Sequence, residues 1–304
     1  MANPIHVVVT GSHGLIGSAL VAELLHAGHR VTRLVRSPAA QGEASWDPLK
    51  GTIDSAALDG ADADVHLAGA GIGDKKWTED RKKEILDSRV KGTTLLAGAI
   101  ADLERKPAVL ASGSAIGIYG DRGDEALDEH STVGSGFLAD LVAQWEASTA
   151  SAERAGVRVA HLRTGLVLST KGGILAKQLL PFKLGVGGRV GPGRQVLPWI
   201  TLRDEVAAIV HVLAASSMSG PINLTAPNPV TNLEFTKALG KALRRPTILP
   251  VPLFALKVLF GPEMVREALL SGARVLPKAL LNSGFQFRDP DLAGALRTLF
   301  DTKG

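Results

Sequence analysis

Short β-branched apolar runs alternate with amphipathic stretches through the first two thirds of the chain. Residues 5–10 (IHVVVT) read as a buried strand that ends in a glycine-rich turn. Residues 15–27 follow with Leu15, Ile16, Leu20 and Leu24 at helical spacing, and Gly28 stops the helix. Further strands are expected at residues 31–35, 63–68, 107–111, 157–162 and 221–224, and a short one at 44–46. Helices are expected over about residues 79–103 and 137–155. Strands alternating with long helices predict βαβ units around a parallel sheet.

The pattern changes after Arg163. From there to about Asp204 the chain is rich in glycine, and helical stretches dominate from Thr231 onward. The expectation is an α/β protein. Residues 1–165 would form a doubly wound, Rossmann-type dinucleotide-binding domain, joined by a returning strand at 221–224. Residues 166–220 and 225–304 would form a smaller, mostly helical substrate domain. Asp204 is expected to cap the helix that starts near residue 205.

Composition narrows the chemistry. The chain has 304 residues and no cysteine, which removes disulfides, thiolate metal sites and cysteine nucleophiles. Its aromatic residues are 8 Phe, 4 Trp and 1 Tyr, so the core must be mainly aliphatic. A net charge of +4, with no block of like charges, gives no nucleic-acid footprint. No run reaches the roughly 18 apolar residues of a membrane span. The opening Met1-Ala-Asn-Pro leads straight into the first strand pattern, so an intracellular, cytoplasmic protein without a signal peptide is expected. The eight histidines show no metal-binding spacing, and no metal is expected.

The strongest motif is Thr10-Gly11-Ser12-His13-Gly14-Leu15-Ile16-Gly17, between a strand and an amphipathic helix. In such a loop Gly11 makes the tight turn, Gly14 lets backbone approach a pyrophosphate, and Gly17 lets helix pack on strand. Ser12, His13, Leu15 and Ile16 complete the cradle, and the helix N-terminus faces the phosphates with free N–H groups. An NAD-binding unit carries an acid roughly 20 residues on, bonded to the ribose 2′-OH. Here that stretch is His29-Arg-Val-Thr-Arg-Leu-Val-Arg-Ser37, without an acid. Arg36 can hold a 2′-phosphate and Ser37 can add a hydroxyl, which favours NADP(H).

Further segments resemble the extended short-chain dehydrogenase/reductases. His66-Leu67-Ala68-Gly69-Ala70 resembles their H-L-A-A element, and Ser88-Arg-Val-Lys-Gly-Thr93 their N-V-x-G-T helix start. Ser112-Gly-Ser-Ala-Ile-Gly-Ile-Tyr-Gly120 resembles S-S-x-x-V-Y-G. Val190-Gly-Pro-Gly-Arg-Gln195 with Trp199-Ile-Thr-Leu-Arg-Asp204 resembles the G-x-G-x-Q…F-I-x-V-x-D segment of sugar-nucleotide epimerases. More narrowly, Trp77, Ser88-Arg89, Trp145-Glu146, Gly172-Gly173, Pro198-Trp199-Ile200 and Arg274-Val-Leu-Pro277 are similar to an atypical, sugar-nucleotide epimerase-like branch. That branch carries an extra C-terminal domain of unknown function. The resemblance implies Leu67, Ala68, Gly69, Arg89, Ser112 and Arg163 as cofactor neighbours. It implies Trp77, Ser114, Gln195 and Trp199 as substrate-pocket residues, and a homodimer as one assembly.

One part of the resemblance fails. The superfamily uses Y-x-x-x-K with an upstream Ser or Thr. Tyr119 is the only tyrosine, and residue 123 is Gly. Alignment on Glu146 puts Leu138 at the tyrosine and Val142 at the lysine, and neither side chain moves a proton. The remaining catalytic candidates are Ser112, Ser114 and Tyr119. Two readings follow. One is an NADP(H)-dependent oxidoreductase or epimerase acting on a small polar, anionic molecule such as a nucleotide sugar. The other is a non-catalytic NADP(H)-binding sensor or partner-binding protein.

Overall fold

The computed structural model describes residues 3–301. β1 (His6–Thr10) is buried along its length, as its run of valines requires. The chain turns into α1 (Leu15–His26), returns along β2 (Arg30–Val35), and adds β3 (Glu43–Asp47) and β4 (Thr52–Ile53). β5 (Ala63–His66), α2 (Glu79–Asp102), β6 (Val109–Ala115) and β7 (Ala126–Leu127) follow. Next come α3 (Phe137–Ala147), α4 (Ala150–Arg154) and β8 (Arg158–Thr164). β9 (Leu166–Leu168), α5 (Gly173–Lys183), β10 (Val196–Leu197) and β11 (Trp199–Thr201) lead to α6 (Leu202–Ala214) and β12 (Gly220–Leu224). The remainder is β13 (Val230–Thr231), α7 (Asn232–Leu243), α8 (Leu253–Phe260), α9 (Pro262–Met264), β14 (Arg274–Val275), α10 (Lys278–Asn282) and α11 (Leu292–Asp301).

Eight strands form one sheet in the order β12-β8-β6-β5-β1-β2-β3-β4. Every pairing is parallel except β3 with β4. The chain runs outward from β1 through β2 and β3, then returns to β5 on the other side of β1. That reversal leaves a crevice beyond the C-terminal ends of β1 and β5, where open α/β sheets bind ligands. Alternation along the strands feeds two cores. Val7, Val9 and Val65 pack with Leu20 and Leu24 of α1 and Ile209 and Val212 of α6. Val8, Leu34 and Leu110 pack with Leu96 and Ile100 of α2 and with Trp46. A separate core joins Trp199, Phe235, Leu239, Leu292 and Leu296.

The structure moves several predicted boundaries. β6 begins at Val109 rather than 107, since Pro107 has no N–H to give a ladder. It runs on to Ala115, through small polar residues without an apolar pattern, because β8 pairs with it as far as Ala115 opposite Thr164. β5 stops at His66, because the N–H groups of Leu67 and Ala68 turn to the Thr10 hydroxyl. The helix expected over 137–155 is α3 and α4, separated at Ser148 and Thr149, whose hydroxyls bond back to Gln144 O and Glu146 O. The residue 44–46 candidate is β3. Asp204 does not cap α6. Thr201 does, accepting from the Asp204 N–H, while the Asp204 carboxylate takes the N–H groups of Arg288 and Asp289. Among the described residues, no helix is long and apolar enough to cross a membrane.

Candidate functional site

The β1–α1 loop is shaped by two contacts. Gly11 has φ +66°, and a Cβ there would lie 2.6 Å from the Leu67 carbonyl carbon. A Cβ on Gly17 would lie 2.2 Å from Gly11 O. The loop therefore closes on β5 on one side and on its own helix on the other, and only hydrogen fits at either place. Gly14 precedes α1 and places no side chain in front of it. The N–H groups of the first helical turn have no carbonyl four residues back and point out of the helix end. Ser12 is buried beside His13, and His13 is exposed with Glu43 Oε1 3.8 Å away.

A cleft of about 340 Å³ starts at this loop. Its walls include Gly11, Gly14, Leu15, Ile16 and Gly17 on one side and Leu67, Gly113, Ser114, Trp145 and Thr164 on the other. Behind Ser114 lies a largely buried charged network. Ser114 Oγ donates to Glu146 Oε1 at 2.5 Å. Arg163 grips the same carboxylate with two bonds, Nε to Oε1 at 2.8 Å and Nη2 to Oε2 at 2.9 Å. Arg163 Nη1 also donates to the Tyr119 hydroxyl at 3.0 Å, which donates onward to Asn223 Oδ1 at 2.7 Å. Burial alone would raise the Glu146 carboxyl. The Arg163 hydrogen bonds and charge, Ser114 and His161 outweigh it and hold it below the usual carboxylate range. Burial pushes the Tyr119 phenol up, and Arg163 offsets only part of that.

A fully buried carboxyl, Glu205, lies under the cleft. Thr164 lines the cleft and donates to Glu205 Oε1 at 2.8 Å, while Glu205 Oε2 has no partner among the described residues. Burial pushes Glu205 up to about 8. His66, at the end of β5, bonds Thr10 Oγ1 through Nδ1 at 2.7 Å and packs edge-on against Trp46. Burial, with the Arg89 charge, pushes it down to about 4, so it is neutral at physiological pH.

These positions sort the residues picked from sequence. Of the three catalytic candidates, only Ser114 borders the cleft. Ser112 is fully buried in β6, and Tyr119 is fully buried with its hydroxyl committed to Arg163 and Asn223. Arg163 has its guanidinium taken up by Glu146 and Tyr119. Arg36 and Ser37 are exposed just beyond β2, and no ion pair engages Arg36 among the described residues. Leu67 lines the cleft, Ala68 follows it and Gly69 is exposed. Gly69 sits against Arg89, where a Cβ would meet Arg89 Cζ at 3.2 Å. Trp77 is half-buried; its indole N–H donates to Ile72 O and its ring meets Phe137 edge-on at 5.0 Å. Gln195 donates to Val190 O and Leu269 O, and fully buried Trp199 donates to Asn228 O. Both belong to packing of the separate Trp199 core and its loops rather than to a cleft wall. Sequence reading did not single out Glu146, Trp145, Thr164 or Glu205 as site residues. Glu146 served as an alignment anchor and, with Trp145, as a mark of the family branch, without a site role. An acid near the position of a missing lysine was the one signal that pointed to it.

The glycine loop, the parallel sheet and the cleft at its reversal define a dinucleotide-fold protein of the short-chain dehydrogenase type. Residues 7–224 match the NAD dependent epimerase/dehydratase family, and the chain belongs to it. Residues 251–299 match a domain of unknown function, DUF1731. An epimerase family protein of Mycobacterium bovis is 45% identical over 297 residues, covering 97% of each chain. The human epimerase family protein SDR39U1 is 36% identical over 296 residues, covering 96% of this chain and 99% of the human one. The crystal structure of human SDR39U1 isoform 2 with NADPH superposes with a TM-score of 0.89 at 35% identity, covering 98% of this chain and 100% of that one. A nucleoside-diphosphate sugar epimerase structure from Corynebacterium glutamicum gives 0.81 at 38% identity, covering 98% of this chain and 59% of that one.

Proposed function

We propose that the chain binds NADP(H) along the β1–β5 crevice and carries out redox or epimerase chemistry on a small polar substrate that reaches Ser114. The observation that carries this reading is one continuous cleft, from the glycine loop to a serine hydroxyl oriented by a partly buried carboxylate. The residues fit the cofactor. Gly11 and Gly17 leave room only for backbone, the α1 end offers free N–H groups, and among the described residues no carboxylate pairs with Arg36. Bound NADP(H) would accept or supply a hydride. The human relative crystallised with NADPH supports the cofactor assignment.

Ser114 works without the superfamily tyrosine. Its hydrogen is committed to Glu146, so its oxygen lone pairs are what it offers to the cleft. They accept from a substrate hydroxyl and orient the carbon that bears it. Arg163 keeps Glu146 ionised, so Glu146 is a weak base that fixes the serine rather than storing a proton. Calorimetry with NADPH and NADH tests the reading. The native chain should prefer NADPH, and Arg36→Ala should lower NADPH affinity roughly ten- to a hundred-fold, about 1.5–3 kcal/mol for a lost charged hydrogen bond. Failure of the native chain to bind either nucleotide removes the proposal.

The sensor reading is favoured by one observation: Tyr119, the only phenol, is spent on Arg163 and Asn223 instead of facing the cleft. Consumption of NADPH, or isotope exchange into a nucleotide sugar, with loss of either signal in Ser114→Ala, would decide for the enzyme.

A further inference from the structure

α8 is an apolar helix that packs none of itself away. Its sequence, Leu253-Phe-Ala-Leu-Lys-Val-Leu-Phe260, contains one polar residue, yet none of its eight residues is buried. Phe254 is 74% exposed, Val258 69% and Leu259 62%. Phe254 and Val258 lie one helical turn apart, as do Ala255 and Leu259, so the four make one stripe with Lys257 at its edge. The apolar surface continues beyond the helix. Ile248 and Leu249 are exposed just before it, and Leu180, Leu184 and Val186 are exposed on α5 and the loop that follows. The two segments are stitched together. Arg245 Nε donates to Lys183 O at 2.8 Å, the Val251 N–H donates to Arg189 O at 2.9 Å, and Val190 bridges Val251 in parallel. Single exposed apolar residues are ordinary, but a contiguous group marks a contact surface.

The charge around this face has one sign. Residues 154–203 contain no Asp or Glu, and neither do residues 235–262. Lys183, Arg244, Arg245 and Lys257 are exposed, and none is in an ion pair among the described residues. The acids that bracket α8 in sequence are engaged elsewhere: Glu234 closes the cap of α7 with Thr231, and Glu263 pairs with Lys82. A second copy of the chain would set cation against cation here. A surface that is anionic outside and apolar beneath answers both features at once.

We propose that this face docks on an anionic lipid bilayer, with α8 lying in the plane of the interface. Phe254, Val258 and Leu259 enter the boundary between headgroups and acyl chains, and Lys183, Arg244, Arg245 and Lys257 meet the lipid phosphates. No spanning segment is needed, because an interfacial helix is held by its inserted apolar face and by the attraction of its cations. Lys257, at the edge of the stripe, keeps its stem against apolar surface and lifts its ammonium to the headgroups.

Vesicle flotation tests the proposal. At low salt the native chain should bind vesicles of phosphatidylcholine with phosphatidylglycerol, and bind phosphatidylcholine alone at least about ten-fold less. Phe254→Ser combined with Val258→Ser should weaken the binding roughly ten- to a hundred-fold. Lys257→Gln should weaken it roughly five-fold, the worth of one cation at an anionic surface. All three side chains are exposed, so melting temperatures should stay native. Leu184→Ser combined with Ile248→Ser repeats the test on the adjoining segments should the first pair fail to fold. No binding of the native chain to anionic vesicles overturns the proposal. So does equal binding to neutral and anionic vesicles, or full binding by the folded double variants. Self-association that Phe254→Ser with Val258→Ser disperses, in a chain indifferent to vesicles, would give the face to a second copy and overturn it too. NADPH affinity should be the same in every variant, so the outcome is independent of the nucleotide reading.

Discussion

Glu205 shows how a single side chain can be costly and retained. It sits fully buried below the cleft, with one oxygen on Thr164 and the other unpaired. Burial raises its carboxyl to about 8, whereas the unfolded chain has it near 4.3. Between those values the unfolded state gives up a proton that the folded state keeps, so native stability falls as pH rises from about 4 to about 8. Glu205→Gln keeps an acceptor for Thr164 and removes the titration. It should match the native chain near pH 4 and exceed it at pH 8, by on the order of 4 kcal/mol for a shift of this size. Chemical denaturation across that range measures it; a difference that stays flat with pH would rule out an ionisable, desolvated Glu205. At this scale the sequence was legible where a residue's chemistry depends on its neighbours along the chain. Gly11, Gly14 and Gly17 declare themselves by spacing. Ser114, picked from its place at a strand end, borders the cleft. Tyr119 and Trp199 were picked through the family resemblance, and the fold turned them inward. Glu146 stayed hidden because its partners Ser114 and Arg163 lie 32 and 17 residues away.

The elements were easiest to read where a hydrophobic period ran unbroken. β1, α1, β2 and α2 lie within a few residues of their predicted bounds. β6 was harder, since Ser112 to Ala115 belong to it by pairing on β5 and β8 rather than by apolar pattern. Four of the five two-residue strands, β7, β10, β13 and β14, carry no period of their own and exist through long-range partners. The same logic makes the β1–α1 junction the element most sensitive to one atom. Gly17→Ala puts a methyl 2.2 Å from Gly11 O, where α1 or the loop must shift. The expected result is a destabilisation of about 1–3 kcal/mol, typical of overpacking, with loss of nucleotide binding beyond that of the unfolded fraction. Ala at Gly28, which has open space but φ +83°, should perturb stability alone. Melting curves with and without NADPH compare the two. Equal ligand-induced shifts in both variants would mean that the loop geometry does not serve the nucleotide.

The whole molecule is held together at two seams. One is the network Arg163–Tyr119–Asn223, which continues from Asn223 Nδ2 to Leu276 O and ties β8, β12 and the turn after β6 to the C-terminal segment. The other joins the start of α6 to the turn before α11. Asp204 accepts from Arg288 and Asp289, and Asp289 accepts from Thr201 and Arg203. We propose that the division near residue 165 marks two functional parts, although α6 packs on α1 across it. Asp204→Ala would leave two backbone N–H groups unpaired at the second seam. It should cost about 2–4 kcal/mol and speed amide exchange at Arg288 and Asp289 first. Uniform exchange with unchanged stability would show that this seam carries no load. The seams also separate the four tryptophans into distinct neighbourhoods. Trp46 lies in the α2-side core, Trp77 on the loop after β5, Trp145 at the cleft and Trp199 in the separate core with Phe235 and Leu239. The molecule therefore carries its own set of optical reporters. A reduced nicotinamide absorbs where indole emits, so light lost from Trp145 would report occupancy of the cleft, while Trp199 would register events across the second seam.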